Sequence, residues 1–463
     1  ASPAGGVAET TFTMAEVAEH ASADDAWCVV HNKVLNITNF LQSHPGGRNL
    51  ILLAAGIDAT VLFETYHLRG VRPEVVDRYQ IGTLDKQHAS YYAWPSKVDD
   101  PFRPDPEAFY PTLKRRVSER LRSIGKARRG GPELHTKAWM IMLTLVASWY
   151  AAWFHRPESL WVATLVATVY GFAAAQVGLS IMHDANHGSF STNSELGRVA
   201  GYALDLIGAS SVVWSFQHVV SHHAYTNLET RTEDNLDYHR NLKDSERGEK
   251  EQIQLSHEND VDVFSSFPLV RMHPSDPRSW FHRYQHIYAP IMFAVFTIAK
   301  NVSSDIQFIS AVRVSHVSMK PRFSQNNEVL AFWGFKAFNL ITMILVPWFR
   351  HGSLAYAFYV TVVAHLVAGE LLAMMFIVNH VTEEAEFFEG SEKLNAASGG
   401  VDWGKAQARS TVNWGVGSWF WNHFSGGLNH QLEHHLFPSI THVNYVHIHD
   451  VVEETCAEFD VPY

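Results

Sequence analysis

Residues 159–187 read SLWVATLVATVYGFAAAQVGLSIMHDANH. The part from 159 to 182 carries no charged side chain and exceeds the roughly 20 residues a helix needs to cross the hydrocarbon core of a bilayer. It runs straight into His183-Asp184-Ala185-Asn186-His187. Helical side chains four apart stand one above the other, so His183 and His187 can meet one metal ion at the mouth of this span. A lone HxxxH is more often structural than a ligand pair, so the rest of the chain has to decide.

Two further clusters repeat the geometry. In Gln217-His218-Val219-Val220-Ser221-His222-His223, His218 and His222 share a face and His223 lies beside it. In Gln431-Leu432-Glu433-His434-His435, the side chains of Gln431, His434 and His435 stand at i, i+3 and i+4. A further histidine, His380, ends another apolar run. Four runs are expected to cross a membrane: 138–154, 159–182, 329–349 and 354–378. The first is slightly short, but Trp139, Trp149, Tyr150 and Trp153 suit interfacial ends. Residues 287–299 are too short to span and read as interfacial or re-entrant. Residues 197–214, weakly apolar and carrying Asp205, read as lying along the membrane face. Two crossings return the chain to one side at His183, and two more return it to the same side before His434, so all the clusters face one compartment. Basic residues ahead of 138 assign that side to the cytosol. Imidazole suits iron, zinc and copper, and eight histidines exceed the four ligands of a zinc site. Two iron ions with open positions fit the count.

The N-terminal part is different in kind. Residues 11–85 read as a small α+β unit, with strands around a turn at His31-Asn32-Lys33 and Gly/Pro punctuation after them. His44-Pro45-Gly46-Gly47 holds a histidine at a tight turn, and His67 follows in Phe63-Glu64-Thr65-Tyr66-His67. Two neutral imidazoles on opposite faces can hold haem iron six-coordinate and confine it to electron transfer. A turn histidine and an unrelated helix histidine explain the HPGG motif alone equally well. Residues 1–10 form a polar tail without the basic and apolar regions of a signal peptide, so insertion is expected to rely on internal segments. Residues 86–134 read as a Pro/Asp-rich linker and a basic amphipathic helix bearing Lys114, Arg115, Arg116, Arg120, Arg122, Lys126, Arg128 and Arg129. The reading favoured for that helix is an anchor on an anionic leaflet. Residues 135–463 form the membrane domain. A net charge of −11 argues against nucleic acid as a partner. Only two cysteines, Cys28 and Cys456, exclude a disulfide framework and iron–sulfur clusters.

Trp27, Phe40, HPGG, the Ala55-Gly56-Ile57-Asp58-Ala59-Thr60 turn, Phe63, His67 and the closing Tyr79–Gly82 stand in the order of cytochrome b5, which 11–85 resembles. By that resemblance His44 and His67 are the axial ligands of haem b. The three boxes with His380 resemble the membrane fatty acyl desaturases. They are most similar to the front-end group with a fused N-terminal cytochrome b5, marked by Gln431 at the start of the third box. The resemblance implies an α+β haem domain followed by an all-α polytopic membrane domain of about four transmembrane helices. It makes His183, His187, His218, His222, His223, His380, His434 and His435 the ligands of two non-haem irons, with Gln431 a weaker ligand or a hydrogen-bond partner of metal-bound water. Asp184, Asn186, Glu433 and Asn429 are expected to orient imidazoles, with His423 and His430 in supporting places.

The stretches 63–67, 262–268, 284–290 and 419–435 look like the Δ4 type of marine protists, which converts docosapentaenoic to docosahexaenoic chains, with Δ5 enzymes as close relatives. O2 is the implied co-substrate, a polyunsaturated acyl lipid or acyl-CoA the substrate, and NADH-cytochrome b5 reductase the electron donor. Membrane lipids surround the protein, and the implied location is the endoplasmic reticulum. Hydroxylation, or action on a sphingolipid long-chain base, is the nearest alternative. A haem-bearing electron carrier or metal transporter is the alternative of another class. A transporter should place ionisable groups at mid-span, where only His365 and Glu370 stand.

Overall fold

The computed structural model describes residues 10–85, 92–93, 96–97, 100–229, 260, 262, 269–272, 276–314, 317–323, 326–389 and 401–463. Most of the charged stretch 229–262 lies outside the described residues, as do most of the 262–268 motif and part of the linker.

The N-terminal unit is built on four strands: β1 (Thr11–Phe12), β2 (Trp27–Val30), β3 (Lys33–Asn36) and β4 (Gln80–Leu84), in the order β1-β4-β3-β2. β1 runs parallel to β4, and the other pairs are antiparallel. The hairpin between β2 and β3 turns on His31 and Asn32, whose φ angles are 48° and 63°. A two-residue hairpin needs this left-handed backbone to match strand twist. Cys28, Val30 and Leu35 pack from the sheet onto Leu41, Leu52 and Ala59. The helix Thr60–Tyr66 closes the unit and delivers His67 at its C-cap.

Three helices are long and apolar enough to cross a membrane: Leu160–Asn186, Asn327–His351 and Leu354–His380. Two bent pairs raise the count to as many as five, so the expected four falls inside the range. The run expected at 138–154 is the one that does not join the three. It forms a continuous helix, Pro132–Trp149 extended by Tyr150–His155, but Lys137, the tryptophans and Tyr150 dilute its apolar content. Its outer face is nevertheless oily, with Trp139, Met140, Leu143 and Val146 exposed.

Small residues bring the helices into contact. Ala163, Ala167, Gly171 and Ala175 recur every fourth residue along Leu160–Asn186. A Cβ on Gly171 would lie 2.4 Å from the carbonyl oxygen of Ala364, so the backbones of this helix and Leu354–His380 nearly touch. Close approach through small residues is the means of packing available where lipid competes on equal terms with apolar side chains. It sets the ends of both helices, and therefore His183, His187 and His380, at one level.

The segment expected to lie along the membrane face is instead a broken helix, Ser194–Leu206 followed by Ser211–His222, bent by 111°. Gly208 makes the corner with φ 106°, where a Cβ would strike Asn301. Asp205 is buried and accepts the N–H of Ser211 at 3.1 Å. The polar residue that suggested a surface helix is the cap that restarts the chain inward.

The basic helix Phe109–Ser123 also differs from its expected role. Its apolar face, Phe109, Tyr110, Leu113, Val117 and Leu121, is buried in a core shared with Leu436, Phe437 and Val452. Three of its five basic side chains are matched within the protein: Arg116 to Glu458 at 2.6 Å, Arg120 to Asp450 at 2.7 Å, and Lys114 to Glu64 of the N-terminal unit. It is a strut between the two domains, not a leaflet anchor.

Candidate metal centre

In the N-terminal unit, His44 and His67 face each other with ring centres 6.1 Å apart. Imidazole–metal bonds are about 2 Å long, which puts two rings flanking one metal about 6 Å apart, centre to centre. His67 donates from Nδ1 to the carbonyl of Phe63 at 2.8 Å, leaving its Nε2 lone pair free. Burial pushes His67 down to about 4 and lowers His44, so both are neutral donors near pH 7. The paired glycines are explained by contact. A Cβ on Gly46 would lie 2.8 Å from Cε1 of His44, and Gly47 has φ 91° with its missing Cβ 2.8 Å from Ser194 in the membrane domain. These residues fit a bis-histidine haem.

The second centre forms where the helix ends meet. The ligand nitrogens of His183, His187, His218 and His434 lie within 4.8 Å of one another, as do those of His222, His380 and His435. His223 groups in the same way with His434 and His435, between the two sets. All eight histidines are buried. The second box depends on a π-helical turn, Ser215–His222, in which the N–H of His223 bonds to the carbonyl of His218 at 3.1 Å. In an α-helix His223 would be carried round to another face; the wider turn brings i+5 back over i, so all three box histidines point inward. Another π turn, Val177–Met182, immediately precedes His183.

Hydrogen bonds fix which nitrogen faces the centre. Nδ1 of His218 contacts Asp262 at 2.8 Å, that of His222 contacts Asp260 at 2.9 Å, and that of His435 contacts Gln407 Oε1 at 2.8 Å. Nδ1 of His380 donates to the Ser410 carbonyl at 3.1 Å, and that of His434 lies 3.3 Å from the Tyr445 hydroxyl. Each acceptor holds the ring hydrogen on Nδ1 and leaves the Nε2 lone pair directed into the cluster. Burial and the neighbouring rings hold His434 and His435 well below the ordinary histidine range. Both nitrogens of His183 and the Nε2 atoms of His187 and His435 are buried without a partner. Buried orphan nitrogens are costly, and their convergence is what a cation would satisfy. The donor set fits two metal ions.

Gln431 takes a different part. Trp414 can only donate, and it donates to Asn379 Oδ1 at 2.8 Å; Asn379 Nδ2 therefore faces Gln431 Oε1 at 3.0 Å. The amide nitrogen of Gln431 is left facing Nε2 of His380 at 2.8 Å. It presents a donor, not an oxygen, to the cluster.

The residues expected to orient imidazoles do other work. Asp184 accepts from His442 and Thr441, Glu433 from Asn413 and Tyr463, and Asn429 from Ser425, while Asn186 lies against Met182 and Gly201. None is shown bonded to a box imidazole. His430 accepts from the N–H of Gly417, and His423 pairs with Glu133. The orienting groups that sequence reasoning missed are Asp260, Asp262, Gln407, Tyr445, the Ser410 carbonyl and, for His187, Tyr66. The pair Asp260-Val261-Asp262 was the one visible signal, inside a run of charges.

A mostly apolar cavity is lined by Met182, Leu204, Trp214, Phe296, Leu372 and Phe376, with Asp262, Lys300, Asn301 and His365 also on its wall. The Trp214 ring stacks on His218, with centres 4.3 Å apart.

The fatty acid desaturase family model matches residues 159–463, and the cytochrome b5-like heme/steroid binding domain model matches 13–85. An acyl-lipid (8-3)-desaturase of Physcomitrium patens is 34% identical, the match covering 98% of this chain and 87% of the relative. An acyl-lipid (8-3)-desaturase B and a Delta(5) fatty acid desaturase A of Dictyostelium discoideum are 31% and 30% identical, each match covering 98% of this chain and 90% and 89% of those relatives. The solved cytochrome b558 of Ectothiorhodospira vacuolata, a homologue of cytochrome b5, is 35% identical, covering 16% of this chain and 99% of its own, at a TM-score of 0.16. The chain belongs to the fatty acid desaturase family. Within it, this is a front-end acyl-lipid desaturase with a fused cytochrome b5 domain, an oxygen-dependent oxidoreductase carried on membrane-capable helices.

Proposed function

We propose that this enzyme inserts a Δ4 cis double bond into a docosapentaenoyl chain, giving docosahexaenoyl, with electrons from its own haem. The observation that carries the reading is the pair of buried histidine groups, lone pairs inward, beside a cavity that shares Trp214, stacked on His218, as a wall. Two irons bound there supply the means of using O2 to take hydrogen from two adjacent methylenes. The overall balance is two substrate hydrogens, two electrons and two protons added to O2, leaving two waters and an alkene.

The protein's own contribution is positional. The eight histidines His183, His187, His218, His222, His223, His380, His434 and His435 hold the metals. Gln431, whose amide nitrogen stands beside His380 Nε2, would hydrogen-bond a water on the metal there. The cavity wall lays an extended chain against Trp214 and shuts out water. His44 and His67 hold the haem, which NADH-cytochrome b5 reductase reduces one electron at a time. All of these groups face the cytosol, in the endoplasmic reticulum membrane among its lipids.

The Δ4 reading rests on the stretches 63–67, 262–268, 284–290 and 419–435. A Δ5 reading has its own support in the Delta(5) name of a relative 30% identical across nearly the whole chain. Feeding decides between them. The enzyme is expressed in a eukaryotic host without polyunsaturated fatty acids and given docosapentaenoic acid or the C20 precursors of Δ5 enzymes. Docosahexaenoic acid is the expected product; arachidonic or eicosapentaenoic acid alone would replace Δ4 with Δ5.

A further inference from the structure

The last carbonyls of a helix have no partner within it. At the end of Thr60–Tyr66 in the haem domain, three of them accept from residues outside that domain. Glu64 accepts from Lys114 Nζ at 3.4 Å, Thr65 from Ser439 Oγ at 3.2 Å, and Tyr66 from Arg128 Nη1 at 3.1 Å. Two of the donors are cations at the negative end of the helix dipole, where charge of that sign is favourable. The turn that carries His67 is thus stapled to the rest of the molecule, with Gly188 packed so closely on Leu50 that a Cβ there would come within 2.5 Å.

Within this staple the Tyr66 side chain reaches across the interface. Its hydroxyl lies 3.2 Å from Nδ1 of His187. Nε2 of His187 is buried, unpartnered and within the first metal group, so Nδ1 carries the hydrogen and donates to the Tyr66 oxygen. The groups that orient five of the other imidazoles, Asp260, Asp262, Gln407, Ser410 and Tyr445, all belong to the membrane domain. Among the described residues, the one printed for His187 comes from the haem domain.

We propose that Tyr66 is a positioning residue of the metal centre, lent by the electron-donating domain. It fixes the His187 ring and joins that ring to the haem ligand His67 through one hydrogen bond and one peptide unit. Docking of the haem domain therefore completes the metal site as well as bringing the haem near. The proposal rests on the reading of the histidine groups as an iron site.

The test is Tyr66→Phe in the full-length, haem- and iron-loaded protein, which keeps the ring and removes only the acceptor. Mössbauer spectroscopy of the isotopically enriched protein should show one of the two non-haem iron signals shifted while the haem absorption bands stay unchanged. Removing a partner of this kind costs about 10–100-fold in metal affinity or activity, so reoxidation of the reduced haem with O2 and substrate should slow at least about tenfold. A merely structural role would leave the iron signals alone. Wild-type iron signals in the variant would overturn the proposal. A changed haem spectrum would also overturn it, since Tyr66 would then act on the haem pocket. Absence of non-haem iron in the unaltered protein would sink the metal reading first, and this proposal with it.

Discussion

The two histidine centres of this enzyme are built in opposite ways. The haem pocket is local. His44 and His67 belong to one short stretch, and their nearest hydrogen-bond partners, Gly47 O and Phe63 O, are backbone atoms within a turn of each. The metal centre is assembled from far apart. Its histidines come from four segments between 183 and 435, and their orienting partners come from others again, including the haem domain. A local site can be transplanted as a unit; a dispersed one exists only when the whole fold closes.

That contrast predicts separable failures. The largest effect is expected from His222→Ala, which removes a member of the second metal group. Product should fall below detection and non-haem iron should drop, with the haem spectrum intact. His44→Ala should do the reverse, abolishing the haem spectrum while leaving non-haem iron bound. Retention of full activity by either variant, measured by product analysis, would break the assignment of that centre.

Asp260→Asn should come next. Asp260 accepts from Nδ1 of His222 at 2.9 Å and also from the N–H of Asn227 at 2.9 Å. Loss of its charge should weaken iron binding by about 10–100-fold, read by titration with a competing chelator, with no change in the haem. Gln431→Ala should act more mildly. Since Gln431 shows its amide nitrogen to His380, iron stoichiometry should hold while turnover falls.

The smallest predicted effect sharpens the comparison at the domain boundary. Burial alone would raise Glu64, but its bond to His31 and the charge of Lys114 outweigh that and hold it down to about 2. A carboxyl whose folded value lies below its unfolded one, about 4.3, contributes stability above the unfolded value. That contribution is lost as pH falls from there towards 2. Acid unfolding followed by the haem band should therefore steepen below about pH 4 in the natural protein. In Glu64→Gln this stretch should flatten, with a loss at neutral pH of about 1–3 kcal/mol for the broken charged hydrogen bonds.

Legibility in the sequence followed the same division. HPGG with His67 marks the haem pocket because a local site writes all its parts into one stretch. The histidines of the metal centre were visible because helical spacing repeats at the ends of apolar runs. Their orienting partners were not. Asp184 and Glu433, each next to a box histidine in sequence, point elsewhere because adjacent residues on a helix do not share a face. Gln407 and Tyr445 carry no local signal at all. The basic helix Phe109–Ser123 misled for a related reason: charge and amphipathicity describe a face without saying whether lipid or protein meets it. The π turn at Ser215–His222 is equally silent, although without it His223 would face away.

On this reading one chain holds a haem and two non-haem irons in distinct histidine centres. Metal analysis of the purified full-length protein, with haem quantified separately by its absorption, tests this most directly. Two non-haem irons are expected for each haem, with iron lost selectively in His222→Ala. Zinc in place of iron, or no non-haem metal in a haem-loaded and active preparation, would contradict it.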